Sequence, residues 1–128
     1  MELQGKTLQE LQSQAVAALE AAAAQLHGVL VELASRLDPF PPFLNMATIQ
    51  AVELEPAFRP AEDRGCVVIC PDGEIRQLEL TALPGVAGVT DVEQVEQFRE
   101  LELPLEEYII YASSAIRALS AELWRRGR

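Results

Sequence analysis

The sequence predicts an α+β fold: a long N-terminal helix, a small three-stranded antiparallel sheet and two C-terminal helices. Three features point there. Apolar residues recur in steps of three and four from Leu8 to Leu37, a β-branched run doubles back around Pro71-Asp72-Gly73, and a second helical period follows Pro104. The chain has 128 residues, 49% of them hydrophobic and 23% charged, the profile of one globular domain over residues 1–128. Such a chain removes roughly two thirds of its unfolded surface from water, so its core requires neither a disulfide nor a metal, and no cofactor is expected.

Thr7-Leu8-Gln9-Glu10 has the form of a capping box, in which the threonine accepts from a backbone amide and the glutamate reaches back. The helix it opens runs to about residue 37, where Asp38-Pro39 ends it. At 1.5 Å per residue that helix is about 46 Å long, against a diameter near 36 Å for a domain of this size, so it either breaks at Gly28 or protrudes. The apolar surface also wraps round most of the helix, which calls for cover on more than one side. A second copy of the chain supplies that cover, and Ala17, Ala21, Ala24, Gly28 and Val31 are the expected homodimer contacts, the first four small enough to let two helices approach closely. The stretch from Ala15 to Ala34 has the length of a membrane span, but it carries Glu20, Gln25, His27 and Glu32 and eight alanines, and no span is expected. The N-terminus lacks the basic and apolar regions of a signal peptide, and a cytoplasmic location is expected.

Pro39-Phe40-Pro41-Pro42-Phe43 reads as an extended linker whose two phenylalanines cover the edge of the core. Residues 45–54 favour a strand, and residues 66–80 a hairpin in which Gly73 supplies the left-handed turn position. Leu83 to Val89 reads as a second linker. Thr90 or Asp91 then caps a short helix that buries Val92, Val95 and Phe98. The last helix begins at Pro104, with Leu105, Tyr108, Ile109, Ala112, Ile116, Leu119 and Leu123 on its core face and Trp124 closing it.

Little in the sequence carries chemistry. His27 is the single histidine and has no acid or nucleophile near it in sequence; it reads as a packing or interface residue. In a strand, Cys66 and Cys70 stand about 13 Å apart, too far to bridge, and their spacing is not that of a zinc site, so no metal is expected. Ser113 and Ser114 lie in a helical pattern without a nucleophile turn. Gly85 to Thr90 precedes a helix start but lacks the lysine of a phosphate loop. Twenty acidic residues against ten basic ones give a net charge of −10, which repels nucleic acid, and Arg125, Arg126 and Arg128 read as cations at a helix C-terminus.

Asp91 to Glu107 holds seven acidic residues against Arg99 alone. Asp91, Glu93, Glu96, Glu100 and Glu102 are accordingly the expected contacts for another protein of basic character. The expected function is a non-catalytic protein-interaction module: an adaptor, assembly factor or chaperone acting as an acidic homodimer. The alternative is a small-molecule binder or enzyme assembled from scattered residues, with Arg76 and Gly85 to Thr90 as its candidates.

Overall fold

The computed structural model describes residues 5–44, 46–56, 63–83 and 93–127. It is a mixed helix and sheet fold with one N-terminal and one C-terminal helix. Helix α1 covers Leu8–Ser35, α2 covers Leu105–Arg125, and between them lie β1 (Pro42–Phe43), β2 (Met46–Gln50), β3 (Val52–Glu53), β4 (Val67–Ile69), β5 (Ile75–Leu83) and β6 (Glu93–Glu100). The strands form an antiparallel pair β1-β2 and a four-stranded antiparallel sheet in the order β3-β4-β5-β6.

The capping box at Thr7 is present: the Glu10 amide donates to Thr7 Oγ1 at 3.1 Å and the Thr7 amide donates to Glu10 Oε1 at 3.3 Å. The helix does not break at Gly28. It continues for 28 residues, about 42 Å, and protrudes. Every residue from Leu8 to Ala18 is exposed, and Leu19 is the first to be partly covered. From there Leu26, Leu30, Leu33 and Ala34 pack with α2, whose Tyr111, Ala112, Ala115, Leu119 and Leu123 face them.

Strand β4 is buried on both sides, with Val67, Val68 and Ile69 at 2%, 0% and 0% exposure, because it lies between two layers. Val67 and Ile69 join the helical core, together with Leu54, Ile75 and Phe40. Val68, Cys70 and Leu78 pack on the opposite face against Phe43, Ile49 and Ala51. The two phenylalanines of the proline-rich segment therefore seal different layers.

Three expectations about the fold require correction. The sheet is not one of three strands, since residues 45–54 do not form a single strand. The chain leaves the β1-β2 pair at Ala51, only 1% exposed, and enters the four-stranded sheet as β3. Among the described residues there are two helices, not three: residues 93–100 form β6, paired along its length with β5 from Arg76↔Glu100 to Leu83↔Glu93. The spacing of Val92, Val95 and Phe98 imitates a helix face, but eight cross-strand pairs outweigh that weak local preference. Trp124 does not close the core; it is 80% exposed. The expected caps at Thr90 and Asp91, and the linker from Pro84 to Val89, lie outside the described residues.

Candidate functional site

Between β2, the β4-β5 turn and β6 lies a cleft of about 650 Å³, lined by Thr48, Gln50, Cys70, Asp72, Arg76 and Phe98. Register explains its composition. Arg76 stands opposite Val68 on β4 and Glu100 on β6, on the sheet face that β1-β2 covers only in part. Its guanidinium donates to Asp72 Oδ1 and Oδ2 at 3.1 and 2.9 Å, and its Nε to Glu100 Oε1 at 3.4 Å. The Arg76 hydrogen bonds hold the Asp72 carboxyl below the usual carboxylate range. Asp72 Oδ1 also accepts from the Glu74 amide at 3.0 Å, which locks the turn. Burial pushes the Cys70 thiol up, and Arg76 opposes that only in part. The cleft thus pairs an arginine already held by two carboxylates with a protonated thiol. That chemistry suits neither an anionic ligand nor nucleophilic attack.

Its outer wall is, among the described residues, an open edge. The Leu78 amide donates to Cys66 O and the Cys70 amide to Glu74 O, so even-numbered residues of β5 turn their backbone groups toward β4. Odd-numbered residues therefore face β6, and in the observed register they meet positions 93, 95, 97 and 99. Positions 94, 96, 98 and 100 point their amides and carbonyls away from the sheet, and among the described residues no strand pairs with them. Phe98 is 37% exposed on the cleft side of this edge.

A second cluster joins α1 to the turn. His27 Nε2 lies 2.5 Å from Glu74 Oε2, and the buried Tyr108 hydroxyl has no hydrogen-bond partner among the described residues. Burial and then the Glu74 charge push the Tyr108 phenol up. His27 thus tethers α1 to the hairpin through an acid partner that its sequence neighbours did not disclose.

The residues expected at a dimer contact, Ala17, Ala21, Ala24, Gly28 and Val31, are all exposed. At 100° per residue the first four lie on the helix face opposite Leu26, Leu30 and Ala34. Of the expected partner contacts, Glu100 and Glu102 are exposed, with Glu100 held by Arg76; Glu93 and Glu96 are positions of β6; Asp91 lies outside the described residues. Glu93, Glu96 and Glu100 therefore lie on a strand and not on the helix expected there.

Ser113 Oγ donates to Ile109 O at 2.8 Å and Ser114 Oγ to Glu55 O at 3.3 Å, both structural bonds. Cys66 and Cys70 are free thiols. Arg125 and Arg126 bind Glu122 at the end of α2. Gly85 to Thr90 lies outside the described residues. Sequence reasoning missed Asp72 as the partner of Arg76, and Phe98 as a surface residue. The first was within reach, since a turn aspartate and the arginine four residues on face each other across a tight hairpin. The second depends on a strand pairing that no local pattern announced. Comparison with protein-family models, with curated proteins and with solved structures found no match.

Proposed function

We propose that this protein is a non-catalytic interaction module, an adaptor, assembly factor or chaperone, that works as a homodimer paired through α1. The observation that carries the reading is the uncovered N-terminal overhang of that helix. Leu8, Leu11 and Val16 are 72%, 48% and 48% exposed, leaving a long apolar rod uncovered by its own domain. Its small residues are also spaced as a two-fold pairing requires. In an antiparallel pair centred between Ala22 and Ala23, Ala17 meets Gly28 of the second copy and Ala21 meets Ala24, each contact made twice.

By length and composition α1 is apolar enough to cross a membrane. Its free part, Leu8 to Ala18, is however only about 16 Å long against a hydrocarbon core of about 30 Å, which favours a protein partner. The absence of an activated nucleophile in the described cleft also supports a binding role over a catalytic one.

Light scattering across a range of concentrations tests the reading. The expected mass is twice the 14.1 kDa of one chain, and Ala21→Glu or Ala24→Glu should return it to one chain without loss of helix signal. A wild-type protein that stays monomeric at micromolar concentrations would overturn it. The cleft at Arg76 favours a second reading, a small-molecule site; a metabolite screen by thermal shift that raises the wild-type midpoint, but not that of Arg76→Ala, would favour it instead.

A further inference from the structure

The edge of β6, which no strand among the described residues covers, defines what kind of partner such a module would hold. We infer that β6 is a docking strand to which an extended, basic peptide segment adds as a further strand of the sheet, with an apolar residue facing Phe98 and a lysine or arginine facing Glu100. The inference rests on the interaction-module reading and names the client's chemistry and backbone form.

The argument begins with the backbone. The observed register leaves four amides and four carbonyls, at positions 94, 96, 98 and 100, directed away from β5. An unpaired row of that kind is a template for another strand, and natural sheets normally blunt it with short edges, bulges or prolines. Here the edge is eight residues long, contains no proline, and pairs with β5 through eight consecutive positions without a bulge.

Charge then selects the occupant. β6 carries Glu93, Glu96 and Glu100 against Arg99, and Arg99 is already paired with Glu79 at 3.0 Å. A second copy of β6 would bring together two edges of net negative charge, which pairing disfavours, whereas a basic strand places opposite charges across the new ladder. Side-chain placement agrees. Phe98, 37% exposed, lies two residues from Glu100, 84% exposed, and both stand on the face that opens into the cleft of Thr48, Gln50, Cys70 and Arg76. Alternate side chains of an added strand fall on that same face, so an apolar residue reaches Phe98 and a cation two positions away reaches Glu100. The spacing basic-x-apolar-x-basic satisfies both in either strand direction.

The probe is a fluorescein-labelled peptide, Thr-Lys-Thr-Val-Thr-Lys-Thr, titrated with the full chain and followed by anisotropy. Saturable binding that weakens with added salt is expected, with no binding of the peptide in which glutamate replaces both lysines. Glu96→Pro removes an outward-pointing amide and no bond to β5, so it should weaken binding by about tenfold while the circular dichroism is unchanged. Glu100→Lys should reverse the preference toward the glutamate peptide. Hydrogen exchange should slow at residues 94, 96, 98 and 100 when the lysine peptide is added. Absence of saturable binding up to millimolar peptide, equal affinity in a folded Glu96→Pro, an unchanged preference in Glu100→Lys, or slowed exchange confined to other elements would each overturn the inference. Loss of the dimer alone is distinguishable, because monomeric Ala24→Glu would still bind the peptide.

Discussion

Gly73 packs on the main chain of Val31: a β-carbon built on Gly73 would lie 2.7 Å from Val31 Cα and 2.9 Å from its backbone nitrogen. The hairpin turn thereby docks on α1 through bare backbone, and the His27 to Glu74 contact reinforces the same junction one residue along the turn. The glycine also has φ +84°, in the left-handed region. Two requirements therefore coincide at one position.

Gly73→Ala should destabilise the fold by about 2–4 kcal/mol, combining left-handed strain with a collision against backbone that cannot rotate away. Chemical denaturation of the variant checks this, and a loss below half a kcal/mol would show that turn and helix separate freely.

Position along α1 should decide the cost of truncating a leucine. Leu30 is fully buried and Leu30→Ala should cost about 2–5 kcal/mol, whereas Leu8→Ala, 72% exposed, should change monomer stability by less than about 0.5 kcal/mol. Equal losses measured in the monomeric Ala24→Glu background would show that the overhang is covered by its own chain.

Acid sensitivity follows from the arginine-paired carboxylates. Hydrogen bonds from Arg76, Arg64 and Arg125 hold Asp72, Glu107 and Glu122 below their ordinary range. A carboxyl depressed on folding contributes stability that is complete above its unfolded value, about 4, and is lost as pH falls through the lower folded value. Relief of repulsion among twenty acidic residues acts in the opposite direction, so the comparison between variants is the informative one. The thermal midpoint of wild type should fall more steeply below pH 4 than that of Asp72→Asn or Glu107→Gln; parallel curves would show that these pairs form equally in the unfolded chain.

Both thiols should react slowly. Burial raises Cys66 and Cys70 above the ordinary thiol range, and the Glu53 charge adds to the shift at Cys66. A thiol-reactive dye at pH 7.5 is expected to label the native protein far more slowly than the denatured one, with the rate increasing as pH rises. Rapid native labelling would place a reactive thiolate in the cleft.

Local chemistry made much of this legible. The capping box at Thr7, the turn glycine at Gly73 and the start of α2 at Pro104 each stand where the sequence placed them, because a few adjacent residues suffice for each. The candidate site was legible only in its residue types. The acids of β6 were evident as a charged run, but a period of three in Val92, Val95 and Phe98 directed them onto a helix, and the pairing that makes them an edge lies on another strand.

By itself, then, the sequence determined the two long helices, the β4-β5 hairpin and the acidic character, each set by short-range periodicity, capping or composition. Only tertiary structure decided that residues 93–100 are a strand, that residues 46–53 divide between two sheets at Ala51, and that β6 has, among the described residues, an open edge above the Arg76 cleft. Those outcomes depend on contacts between segments remote in the chain. A strand's hydrogen bonds are completed by a neighbour rather than by its own residues, so its place, its exposed edge and the partner it admits arise only when the whole fold has assembled.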